Sequence, residues 1–205
     1  MRFLPKLFEN NRRWAAERTD KDPKYFERLS QTQKPDYLWI GCSDSRVQAD
    51  VIVGVTPGEL FVHRNIANLV PPSDANVLSV LQYSVDVLQV GHVIVCGHYR
   101  CGGIQAALRV GTAPPLESWL EYIRITYRAH KQEIDALPDE EARWKRMCEL
   151  NVAAQVKAVC ATAVVQAAWK REQPLIVHGW IYDLRSGRLR DLDLSVDGRA
   201  KRSSE

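Results

Sequence analysis

The sequence predicts an α/β fold: a mostly parallel central sheet of four to five strands, flanked by helices and preceded by an N-terminal helical arm. Three observations predict it. Four short apolar runs, Tyr37–Cys42, Leu60–Arg64, Val93–Cys96 and Leu175–Tyr182, have the length and composition of strands. Segments with apolar residues at helical spacing separate most of them, and such alternation favours parallel strands. After the last run, the Ser186-Gly187 turn lets Leu189–Leu194 fold back as an antiparallel edge strand. The expected strand order is second, first, third, fourth, then the edge strand.

The elements follow in order. The first part of the chain, residues 1–34, reads as helical and carries Phe3, Phe8, Trp14, Tyr25 and Phe26. Its apolar periodicity is too weak for a core of its own. It is therefore expected to be an arm packing on a neighbouring subunit. Residues 35–196 form the α/β domain. Asp74 can cap a helix bearing Val77, Leu81, Val85 and Leu88, which Gly91 ends. Gly102-Gly103 opens a helix running to Leu108. One long helix is expected over Leu116–Leu137, stopped by Pro138, and another over Asp139–Lys170. Residues 197–205 read as a polar, flexible tail.

The chain has 205 residues, 45% hydrophobic and 26% charged, which suits one soluble domain with a substantial core. A net charge of +3 with scattered basic residues argues against nucleic acid, whose binding needs a concentrated basic face. No apolar run approaches the roughly 20 residues of a membrane helix. The first residues, MRFLPKLFENNRRW, reach charge and Asn too early for a secretory signal. The expected location is cytoplasmic. There the five cysteines, Cys42, Cys96, Cys101, Cys148 and Cys160, stay reduced, which favours metal binding or burial over disulfides.

Two loops carry the chemistry. Cys42 ends the first strand and opens Cys42-Ser-Asp-Ser-Arg46. His98-Tyr-Arg-Cys101 follows the third strand. Parallel sheets place ligands at the carboxyl ends of strands, where the order reverses. If the first and third strands are neighbours, Cys42, His98 and Cys101 converge there. Two thiolates and an imidazole suit zinc, and three protein donors leave a fourth tetrahedral position. Asp44 is near enough to be that fourth ligand. Alternatively it pairs with the Arg46 fork and leaves the position to water. Cys96, Cys148 and Cys160 read as packing residues, His63 as a packed strand histidine, and Tyr83 as a helix-face residue in the core or bordering the site.

Cys42-Ser-Asp-Ser-Arg46 and His98-Tyr-Arg-Cys101-Gly-Gly resemble the two signature motifs of β-class carbonic anhydrases, in order and at the usual separation. The resemblance extends from about Trp39 to Tyr182. It implies reversible hydration of carbon dioxide to bicarbonate and a proton, by hydroxide generated on Zn2+ held by Cys42, His98 and Cys101. It makes Asp44 and Arg46 the catalytic dyad, and the Gly102 backbone N–H is placed to steady substrate. It also implies a homo-oligomer, dimer or tetramer. Trp39, Arg64 and Tyr182 match positions where a subset of the family holds an inhibitory bicarbonate, with the dyad aspartate closing onto zinc. An indole N–H, a guanidinium and a phenol O–H form a suitable donor set for a small anion. Gln48 departs from the proline of close relatives.

Three rival readings remain at this level. The same scaffold could hydrolyse carbon disulfide or carbonyl sulfide. A non-catalytic zinc protein sensing bicarbonate would keep Asp44 on the metal. A cysteine phosphatase loop is disfavoured, because the three residues between Cys42 and Arg46 are too few to wrap a phosphate.

Overall fold

The computed structural model describes residues 3–109, 111 and 113–198. It divides into two units, one ending at Lys34 and the other beginning at Pro35. The first holds α1 (Pro5–Lys21) and α2 (Tyr25–Gln31). Pro5 opens α1, where its missing N–H costs no helical bond. Trp14 meets Phe26 edge-on at 5.6 Å. Neither helix buries a side chain.

The second unit is built on β1 (Tyr37–Cys42), β2 (Leu60–Asn65), β3 (His92–His98), β4 (Ile176–Asp183) and β5 (Arg188–Asp191). Their order is β2-β1-β3-β4-β5, with parallel pairs throughout except β4 with β5. This is the order and sense the alternating pattern predicts. β1 and β3 are neighbours, with Ile40 beside Val95 and Gly41 beside Cys96.

Strand alternation sorts the core into layers. Leu38, Ile40, Val93, Val95 and Val177 face one side. They pack there with Val77 and Leu81 of α4 (Ala75–Gln82), Val152, Val156 and Val159 of α8 (Glu140–Ala161), and Val165 of α9 (Ala163–Lys170). Trp39, Ile94 and Cys96 face the other side with Trp180 and Tyr182. Two strand glycines are required for close approach. A Cβ on Gly97 would lie 2.5 Å from Val152 Cγ2, and one on Gly41 would lie 2.3 Å from Trp39 Nε1.

The helices depart from the expected outline at their joints. The expected Leu116–Leu137 helix is two, α6 (Leu116–Ala129) and α7 (Lys131–Asp135), parted at His130. The expected Asp139–Lys170 helix is also two: α8 and α9 meet at a 60° bend. Thr162, in extended conformation, causes it by capping α9 with its side chain on Val165 N. After α4 the chain widens into a π turn over Tyr83–Val87 rather than continuing as an α-helix. Tyr83, the first residue of that turn, is 44% exposed, against Phe61, and not in the core. A short α3 (Ala49–Val53) follows Gln48, which the apolar pattern did not signal. α5 spans Gly102–Ala107. Past β5, Leu192 and Leu194 pack on the core and Val196 rejoins Val177. Of the expected tail, 199–205 lie outside the described residues.

Candidate metal and active site

The strand ends deliver the three donors. Cys42 is the last residue of β1 and His98 the last of β3, and Cys101 precedes α5. Their ligand atoms lie within 4.8 Å of one another, all buried. The Cys42 and Cys101 sulfurs are 3.8 Å apart.

The chain's own groups prepare this set for a metal. His98 Nδ1 lies 3.0 Å from the Tyr99 carbonyl, which fixes the proton on Nδ1. Nε2 then turns its lone pair into the space that the two sulfurs border. Among the described residues that atom is buried without a hydrogen-bond partner, a costly arrangement unless something else binds it. The Ala67 N–H reaches Cys42 Sγ at 3.4 Å, and Trp144 Nε1 donates to the Cys101 carbonyl at 3.0 Å. The two sulfurs titrate in opposite directions. Cys42 is pulled down, chiefly by its hydrogen bond with Cys101, with His98 and the Ala67 N–H helping against burial. Cys101 is pushed up, first by that same bond and then by burial. Removing both protons therefore calls for a cation, and S, S and N donors in one buried cluster fit zinc.

Asp44 lies beside the cluster, its Oδ2 3.8 Å from His98 Nε2. It is gripped by Arg46: Nε donates to Oδ1 at 2.9 Å, Nη2 to Oδ2 at 2.7 Å, and the backbone N–H to Oδ1 at 3.0 Å. Of the two arrangements open to Asp44, this conformation is the Arg46-paired one. The Arg46 side-chain bonds, ahead of an opposing burial effect, hold the carboxyl well below the usual carboxylate range.

Arg64 lies across Gly41 in the β2–β1 register. Its Nε donates to the Cys42 carbonyl at 2.8 Å and its Nη2 to the Asp44 carbonyl at 2.6 Å. Trp39 and Tyr182 belong to the sheet face to which the pleat also assigns Gly41 and Arg64. Gly102 lines a cavity of about 310 Å³ with Cys42, Ser43, Asp44, Ile66, Gly103, Ala106 and Leu116. Its walls are largely apolar apart from the Ser43–Asp44 edge.

Sequence reasoning did not find Asn65, Ala67, Trp144, Asn151 or Gln155. Asn151 and Gln155 gave a signal, two carboxamides four apart in the apolar stripe of α8. The remaining candidates fall into packing roles. Burial raises the Cys148 thiol to about 12 and raises Cys96 as well. His63 is buried and lies 3.2 Å from the Asn65 amide. His92 and His178, for which no motif suggested partners, lie 3.0 Å from each other.

The carbonic anhydrase family model matches residues 37–189. A solved structure described as Coccomyxa β-carbonic anhydrase in complex with acetazolamide superimposes with a TM-score of 0.93 at 42% identity, covering 98% of this chain and 91% of that one. The chain belongs to the β-class carbonic anhydrase family. Among its relatives, a carbonic anhydrase of Emericella nidulans is 48% identical over 193 residues, 94% of this chain and 85% of that protein. One of two tetrameric β-carbonic anhydrases of Sordaria macrospora gives a TM-score of 0.90 at 38% identity, covering 93% of this chain and 97% of that one. Zinc is the metal this family uses, and Cys42, His98 and Cys101 are the residues present to hold it.

Proposed function

We propose that the chain catalyses the reversible hydration of carbon dioxide to bicarbonate and a proton. The observation that carries the reading is the buried Cys42–His98–Cys101 donor set, with an Arg46-held Asp44 at its edge. When bound there, zinc supplies a Lewis acid that brings the pKa of water towards 7, and so a nucleophile at neutral pH. Asp44 is kept ionised by Arg46 and serves as a fixed acceptor that orients the attacking water. Ile66, Ala106 and Leu116 give carbon dioxide an apolar approach and limit competing water. Gly102 opens α5 on the same cavity, and its N–H is assigned to the substrate oxygen. Stopped-flow hydration with the purified zinc protein, run beside a sulfide-release assay with carbon disulfide and carbonyl sulfide, tests this. Sulfide release without hydration would overturn it.

The finer reading is regulation by bicarbonate at Trp39, Arg64 and Tyr182. What supports it is the double hold of Arg64 on the Cys42 and Asp44 carbonyls. An anion that draws the guanidinium towards Trp39 and Tyr182 withdraws both bonds. The loop is then freed and Asp44 can leave Arg46 for the metal. Trp39→Phe removes the indole N–H and keeps a smaller aromatic ring. It is expected to retain hydration and to weaken inhibition by added bicarbonate. Unchanged inhibition would remove the effector site.

The active form is taken to be a homo-oligomer, dimer or tetramer, with residues 1–34 on a neighbouring subunit. Supporting this, Phe3, Leu4, Leu7 and Phe8 are exposed, and α1 buries nothing. Light scattering of the full chain and of a chain lacking residues 1–34 tests both statements. The five free thiols suit a cytoplasmic location.

A further inference from the structure

We propose that Asn151 is a positioning residue for the metal centre: it holds the Ile66–Asn68 turn so that the Ala67 N–H points at the Cys42 sulfur. The turn is conformationally expensive. Ala67 and Asn68 both have left-handed backbones, with φ of 65° and 50°, and neither is glycine. Such a pair persists only where the surroundings impose it. Three side chains do so. Asn65 clamps the turn from below, donating from Nδ2 to the Leu69 carbonyl and accepting from Leu69 N, each at 2.7 Å. Trp119 Nε1 donates to the Ile66 carbonyl at 2.9 Å. That carbonyl and the Ala67 N–H are opposite ends of one peptide, so Trp119 and Cys42 hold the same plane from two sides. Asn151 Nδ2 donates to the Ala67 carbonyl at 2.9 Å, which fixes the next peptide and keeps Ala67 left-handed.

The support for Asn151 is itself specific. The residue is 1% exposed. It lies on a helix whose neighbouring core positions are Val152, Val156 and Val159, where an unpaired amide is costly. Gln155, one turn on, donates from Nε2 to Asn151 Oδ1 at 3.2 Å and accepts from Val70 N at 2.8 Å. With Oδ1 engaged by Gln155, Nδ2 is the group left to meet Ala67. Every polar atom of the pair is committed to residues 67–70 or to the other carboxamide. Two buried carboxamides are thus spent on one turn, and that turn delivers one N–H to a sulfur donor. An N–H on a coordinating thiolate draws charge from it and fixes the direction of its lone pairs. Groups that orient ligands in this way commonly control metal affinity by about 10–100-fold.

The test uses the zinc-loaded full chain, after confirming one zinc per wild-type chain, so that failure of the zinc assignment is seen separately. Asn151→Leu keeps the volume and loses both bonds. Asn151→Asp keeps the shape but presents an acceptor to the Ala67 carbonyl. Gln155→Leu leaves Asn151 in place without its orienting partner, and it carries the test if neither Asn151 variant folds. Zinc release to excess chelator is followed, together with the thiolate-to-metal charge-transfer band of the cobalt-substituted protein. Release is expected to be about tenfold faster or more, with the band moved to lower energy. Val156→Ala on the same helix is expected to lower the melting temperature and to leave both readouts unchanged. Variants that melt lower yet release zinc and absorb as the wild type does would reduce Asn151 to a packing role and overturn the proposal. An equal shift in Val156→Ala would do the same.

Discussion

Gly97 is the residue before the ligand His98, and its contact with α8 yields a quantitative prediction. A Cβ added there would lie 2.5 Å from Val152 Cγ2. Relaxed carbon–carbon contact is about 3.5–4.0 Å, so the new methyl is about 1 Å or more too close. Neither side gives easily, because Val152 is fully buried and Gly97 is central in the sheet. Gly97→Ala is therefore expected to destabilise by about 1–3 kcal/mol through overpacking. Val152→Ala removes two methyl groups, about 0.8 kcal/mol each in transfer, for about 2 kcal/mol once a cavity is included. Independent effects would sum to about 3–5 kcal/mol. In the double variant, however, the new methyl occupies space that Val152 vacated. Its cost should fall short of the sum by about 1–2 kcal/mol. Urea unfolding of the four proteins at one fixed protein concentration measures this. Additivity within about 0.5 kcal/mol would show that the two positions do not compete for one volume, and the reasoning about how α8 seats β3 would fail.

Three further outcomes are expected. His98→Ala removes the only nitrogen donor of the cluster, and elemental analysis should show zinc content falling to a small fraction of the wild type. Asp44→Asn keeps the shape of the dyad and loses the acceptor charge. Zinc should be retained while hydration falls by about 100-fold, the low end for a positioned acid–base group; stopped-flow kinetics on metal-analysed protein would show it. Burial, and then the neighbouring His92, lower His178 below its ordinary 6.5, against a smaller pull from Asp191. Below that pH the unfolded chain takes a proton that the folded one resists. The stability from this neutral imidazole is thus present above about 6.5 and lost on acidification. His63 is lowered mainly by burial and acts in the same sense. Melting temperatures between pH 5 and 7.5 should fall less steeply for His178→Gln than for the wild type.

The strands and the donor loops were legible because both are local signals. Val93–Cys96 is apolar whatever surrounds it, and Cys42-Ser-Asp-Ser-Arg46 is contiguous. The helix joints were not legible. Thr162 interrupts a continuous apolar stripe with no glycine or proline, and only its side-chain cap on Val165 marks the break. The core alternative for Tyr83 failed for a different reason: at 3.6 residues per turn it lies well round the helix from the buried Val77, Leu81 and Val85. The support around Cys42 was hidden for a different cause. Ala67 contributes a backbone N–H, which no residue type advertises, and Asn151 acts from 84 residues away. The arrangement of Asp44 was undecided between metal and guanidinium, and three hydrogen bonds from Arg46 select the latter in this conformation.

The first and last donors of the cluster are 59 residues apart, and they meet because β1 lies beside β3. No local segment of the chain holds the full set. During refolding, tight zinc uptake must therefore wait until distant strands have paired, and such pairing is the slow part of assembling a parallel sheet. The metal would then act as a clock as well as a cofactor, its capture timing the moment at which the middle of the sheet closes.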